Sequence, residues 1–195
     1  MKFRKVFLSM AAAAVAVVAV AAVPSSAATG EWLDGGKPFK EHREMKLAGG
    51  EVIEVGGGVL LCESNLTITT EGGSEGEEGY EVKPGTCVGL AGNLEGCTVS
   101  EAKTTGTPWA VGVNTTDLTV SGVKVAYAFA EGCAVGTIEV SVPALTLTPH
   151  EEPGSINFFG WKAEGPGKVD GKAAELVYSG TASFPEAELG TYGIG

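Results

Sequence analysis

The chain has 195 residues, 44% of them hydrophobic and 19% charged, with 24 acidic against 13 basic side chains and a formal charge of −11. That balance argues against nucleic acid and anionic lipid as partners, because both would be repelled. Partners drawn by charge would be cationic, and the length suffices for one domain with a sizeable core.

Lys2, Arg4 and Lys5 precede an apolar run from Val6 to Val23 that only Ser9 interrupts. Pro24 and the small residues Ser25-Ser26-Ala27-Ala28 follow, which is the pattern of a secretory signal peptide cut after Ala28. The expectation is a signal peptide over residues 1–28 and a single exported domain over 29–195, with no membrane association after cleavage. An uncleaved anchor is the rival reading, since the apolar run approaches the length of a membrane span.

Trp32-Leu33, Asp34-Gly35-Gly36 and Lys37-Pro38 read as a hairpin, because Asp-Gly tolerates the positive φ of a tight turn. Residues 40–47 are ambiguous: propensity favours a helix, whereas Met45 and Leu47 fit an alternating strand, which we prefer. Glu51–Val55, Val59–Cys62 and Asn65–Thr70 are strand-like. The stretch 71–79 contains only Glu, Gly and Ser, and is expected to be a mobile solvent loop with nothing to bury. Tyr80-Glu81-Val82 is a short strand, the interior of Cys87–Cys97 a compact loop, and Trp109, Val111 and Val113 share one face.

The centre of the pattern is Leu118–Thr148. Val123, Val125, Tyr127 and Phe129 alternate with small or charged residues, as do Ile138, Val140 and Val142, and then Leu145 and Leu147. Period two puts one apolar face of each run toward a core. Further strands are expected within 156–161, 174–178 and 190–194. About ten to twelve short strands without a long helix predict an all-β fold, an antiparallel β-sandwich or open barrel. The 30 glycines, all after residue 29, fit turns and bulges.

Cys62, Cys87, Cys97 and Cys133 in an exported chain predict disulfides. Three pairings are possible; Cys87–Cys97 as a local staple with Cys62–Cys133 between strand ends is preferred. A zinc site is disfavoured, because no Cys-x-x-Cys exists and His42 and His150 lie far off.

The same residues disfavour most catalysis. No Gly-x-Ser-x-Gly elbow is present, neither histidine sits beside a nucleophile, and oxidised cysteines leave no thiol. No catalytic residue, metal or cofactor is assigned. The acidic 71–79 stretch lacks the ligand spacing of a calcium loop. Paired carboxylates could still serve a secreted carbohydrate-active hydrolase, although Glu54, Glu63, Glu81, Glu139 and Glu175 read as a solvated face. Trp109 and Trp161 are the candidates for stacking on a sugar, against the commoner role of tryptophan in a core.

The Trp32…Gly36 opening, the four cysteines and the closing Tyr178-Ser179-Gly180-Thr181…Gly190-Thr191-Tyr192-Gly193-Ile194 pattern resemble small secreted β-proteins of actinobacteria. The resemblance implies an extracellular compartment and a β-architecture, with no active-site residue to carry over. The expected function is a secreted, non-catalytic binding or surface-associated module for a glycan or an extracellular protein. A carbohydrate-active hydrolase, or a structural envelope or matrix protein, is the alternative.

Overall fold

The computed structural model describes residues 30–152, 155–188 and 191–195. The expected signal peptide and its cleavage site lie outside the described residues, as do Pro153 and Gly154. Among the described residues no helix is long and apolar enough to cross a membrane.

Thirteen strands form among the described residues: β1 (Trp32–Asp34), β2 (Lys37–Pro38), β3 (Arg43–Val55), β4 (Gly58–Thr70), β5 (Glu75–Val82), β6 (Val88–Ala91), β7 (Val99–Thr104), β8 (Trp109–Val113), β9 (Leu118–Phe129), β10 (Thr137–Glu152), β11 (Ser155–Val169), β12 (Lys172–Ser183) and β13 (Tyr192–Ile194). The 40–47 stretch is strand from Arg43 onward, because Met45 and Leu47 continue the inward face of Ile53 and Val55.

The expected sandwich or open barrel is instead a closed one. Antiparallel ladders run β3–β4–β5–β8–β9–β10–β11–β12, and β12 returns to β3 through eight pairs from Leu176↔Val55 to Ser183↔Ala48. Closure removes the free edges that an open sheet would expose. An eight-stranded barrel is just wide enough for its own side chains to fill. The fill comes from the alternating apolar positions: Ile53, Leu60, Ile68, Leu118, Val120, Val123 and Leu147 are all fully buried. Outward positions carry Lys124, Glu139, Lys162, Glu164 and Lys168, with Lys168 Nζ 2.7 Å from Glu139. This polarity is the inverse of an outer-membrane barrel, whose apolar band faces lipid.

The wall is not uniform along the barrel axis. One end is completed by β5 and β8, which pair from Glu75↔Gly112 to Glu78↔Trp109. At the other end β6 replaces β5 beside β4, β7 replaces β8 beside β9, and a single bridge, Val88↔Thr98, joins them. Both disulfides lie in this second section. Cys62–Cys87 ties β4 to the start of β6, and Cys97–Cys133 ties the start of β7 to the β9–β10 turn.

The pairing is therefore Cys62–Cys87 and Cys97–Cys133, in place of Cys87–Cys97 with Cys62–Cys133. The physical reason is the strand exchange. Each of Cys87 and Cys97 enters the wall beside a different long strand, so each meets the cysteine on that strand or its turn. On the chain-entropy model, loops with sequence separations of 25 and 36 stabilise by about 3.5 and about 4 kcal/mol.

A three-stranded sheet, β13–β1–β2, closes the β5–β8 end. Gly35 and Gly36 both take positive φ, as the Asp-Gly turn requires. Trp32 is fully buried, and its backbone N–H donates to the Gly73 carbonyl at 2.9 Å.

Candidate functional site

Two places in the molecule depart from ordinary barrel packing: a polar cluster inside it and an aliphatic patch outside it.

Inside, Glu51 on β3 is completely buried. Its alternation with Ile53 and Val55 dictates this, because period two leaves it no outward choice. Three tyrosines from three other strands converge on it. The Tyr127 hydroxyl donates to Oε1 at 2.7 Å and the Tyr178 hydroxyl to Oε2 at 2.8 Å. Tyr80 also donates to Oε2, and its hydroxyl lies 3.1 Å from that of Tyr178. Burial drives the Glu51 carboxyl up from 4.5 to about 7, against the lowering effect of the Tyr127 and Tyr178 hydroxyls. Those two phenols are pushed well above 10, first by burial and then by the Glu51 charge.

Glu78 on β5 is the second interior carboxyl, 2% exposed, and its Oε2 has no hydrogen-bond partner. Burial alone raises it from 4.5 to about 8. This corrects the expectation for 71–79. Only the turn at Glu71–Ser74 precedes β5, and the alternation of Tyr80 and Val82 extends back through Glu78. Composition pointed to solvent, and strand periodicity carried one glutamate inward.

The interior is not an open cleft. Among the described residues two outer grooves stand out. One, of about 900 Å³, is lined by Thr69, Glu71, Glu75, Glu77, Ala110 and Ser121 among others; the second, of about 660 Å³, by Gly50, Glu63, Lys83, Phe158 and Thr181 among others. Neither is lined by Glu51 or Glu78. The glutamates expected on a solvated face (Glu54, Glu63, Glu81 and Glu175) are exposed, and Glu139 is half-buried against Lys168.

Trp109 and Trp161 are 3% and 6% exposed. Trp109 stacks on Tyr80 with ring centroids 5.4 Å apart and donates Nε1–H to the Thr105 carbonyl at 3.1 Å. Trp161 lies over Gly180, where a Cβ would come within 2.4 Å of its ring. Both indole faces are taken up by core contacts, so this conformation presents neither as a platform for a sugar.

Outside, the large hydrophobic residues left exposed among those described are Leu61, Val88 and Leu90, at 41%, 45% and 52%. They are contiguous. Leu61 and Val88 are cross-strand partners on β4 and β6, and Val52 on β3 pairs with Leu61 on the other side. A register shift between Val59 and Leu60 leaves Leu90 unpaired beside them. Local chain geometry enforces the outward pose. Gly89 points inward where a Cβ would meet the Leu94 carbonyl at 1.6 Å, so its neighbours Val88 and Leu90 must face out. The Cys62–Cys87 disulfide joins the residues adjoining Leu61 and Val88.

These features define an all-β protein: a closed eight-stranded antiparallel barrel with two further wall strands, two disulfides and a side-chain-filled interior. The chain is narrowed further by its match, over residues 1–155, to the family described as alkane oxidation protein activator PraA/PraB-like, and it belongs to that family. Nearly all of β11 and the whole of β12 and β13 lie beyond the matched span. No curated protein and no solved structure matches the chain.

Proposed function

We propose that this protein is a secreted, non-catalytic accessory factor that acts by seating its outward aliphatic patch on hydrocarbon, a reading in keeping with the family's description as an alkane oxidation protein activator. The observation carrying this reading is that the large hydrophobic residues left exposed among those described form one contiguous surface. Its composition favours hydrocarbon over a protein partner. Leucine and valine are poor in protein–protein hot spots, which are enriched in tryptophan, tyrosine and arginine. The patch contains none of those three. The flanking Glu54 and Glu63, and the net charge of −11, disfavour anionic lipid. The two disulfides are consistent with an oxidising compartment, and the resemblance to secreted β-proteins points the same way.

The test is depletion of the protein from solution by n-hexadecane droplets. Each patch side chain has about half its surface still to bury, worth about 1 kcal/mol. The triple substitution Leu61→Thr, Val88→Thr, Leu90→Thr should weaken adsorption about 100-fold, with the melting temperature little changed because these side chains lie outside the core. Adsorption that persists undiminished in the triple variant, or a wild-type protein that ignores the droplets, overturns the reading. Binding to an isolated protein partner in place of droplets would move the patch to the protein-interface alternative.

A further inference from the structure

The β5–β8 section is a thin part of the barrel wall. Its ladder has four residue pairs, as does β8–β9, against thirteen for β3–β4 and twelve for β11–β12. β5 itself reads EGEEGYEV, and glycine and glutamate are both poor strand formers. Glu78↔Trp109 is the last pair of that ladder, at the point where the wall passes from β5–β8 to β6–β7. Next along β5, Tyr80 stacks on Trp109, and this contact continues the seam without backbone pairing.

We propose that Glu78 is a proton-operated latch in the barrel wall: neutral, it keeps the β5–β8 seam shut, and once ionised it leaves the interior and releases that seam. Four observations support this. The Glu78 carboxyl is 2% exposed, and its Oε2 accepts no hydrogen bond. An ionised carboxylate so placed has at least one oxygen without compensation, and its cheapest relief is to reach water. The surroundings offer no counter-charge. β4 and β8 present Ile68 and Trp109 beside it, and the titratable groups on the remaining sides are Tyr178 from β12 and Tyr80 on its own strand. Beyond these, Tyr127 from β9 leads to Glu51, another acid. Glutamate is the only ionisable type other than tyrosine buried among the described residues, so no lysine, arginine or histidine lies inside. Finally, the outward neighbours Glu75 and Glu77 are already solvated and add negative charge along the same strand.

The latch contrasts with Glu51, which accepts from three hydroxyls and can hold its charge in place. Burial sets the Glu78 transition at about pH 8. The closed form keeps its proton up to that point, whereas a released carboxyl titrates near 4.5. Opening therefore becomes about tenfold easier for each pH unit between those values and levels off above about 8.

The experiment is hydrogen exchange read by mass spectrometry on the intact protein at pH 6 and pH 9, corrected for intrinsic exchange rates. Amides of residues 75–82 and 109–113 should lose protection by between about 10- and 100-fold at pH 9, while those of β10–β12 hold theirs. Glu78→Gln, and Glu78→Leu as a second neutral variant, should keep the segment protected at both pH values. Glu51→Gln should leave the local loss in place. Equal protection at both pH values in the wild type overturns the latch. So does a loss that survives in both Glu78 variants, or one spread evenly over all strands, which would assign the effect to Glu51 and the whole barrel. The patch on β4 and β6 takes no part, so this outcome is independent of hydrocarbon binding.

Discussion

At Glu51, burial and hydrogen bonding pull the same carboxyl in opposite directions, and burial wins. Its value of about 7 lies above the ordinary 4.5, so the folded protein holds a proton that the unfolded chain has released. Stability from this group is therefore complete below about pH 4.5, declines as pH rises toward 7, and is level above. Tyr127→Phe removes the 2.7 Å bond to Oε1 and with it one of the two effects that favour the charged form. We expect a loss of about 1 kcal/mol at pH 5, where the carboxyl is neutral, and about 1.5–3 kcal/mol at pH 8, where it is charged. Urea unfolding at the two pH values measures the difference, and an equal loss at both would separate Tyr127 from the Glu51 charge. The sequence displayed the inward faces of β8, β9 and β10 clearly, because apolar side chains alternate there with little interruption. It hid Glu51 and Glu78 for one reason: period two places a side chain regardless of its chemistry, and a glutamate in a strand is read first as solvated. The signal that could have found them was present. Glu51 shares the parity of Ile53 and Val55, and Glu78 that of Tyr80 and Val82.

For the elements, the informative case is the exchange of wall strands. Two β-strands of four and six residues, β6 and β7, complete one end of the barrel through a single bridge between them. Neither disulfide crosses that thin interface, but each ties one of the two short strands to the long wall beside it: Cys62–Cys87 holds β6 to β4, and Cys97–Cys133 holds β7 to the β9–β10 turn. Proteolysis under non-reducing conditions should yield linked peptides containing Cys62 with Cys87 and Cys97 with Cys133; a Cys87–Cys97 peptide would contradict the strand exchange itself. Replacing Cys97 and Cys133 together by serine should cost about 4 kcal/mol, and the first amides to lose protection should be those of β7. The cysteines were legible as disulfides from compartment and count. Their partners were not, since connectivity depends on which long strand each short strand joins. The same limit separated an open from a closed barrel: closure rests on β12 meeting β3, strands with most of the chain between them.

On the scale of the whole molecule, the charge and the patch act against each other at a surface. A body with a formal charge of −11 crowds poorly when its copies sit side by side on a droplet. The aliphatic contact itself is indifferent to salt, because it depends on apolar area removed from water. Salt should therefore raise the amount adsorbed without being needed for adsorption. At about 10 mM ionic strength the Debye length is about 30 Å, comparable with the spacing of packed neighbours, and at about 150 mM it falls to about 8 Å. We expect saturating coverage of n-hexadecane droplets to rise between those two conditions, with the half-saturating concentration little altered at low coverage. Coverage that falls as salt is added would mean that electrostatic attraction, and not the Leu61–Val88–Leu90 surface, brings the protein to the interface.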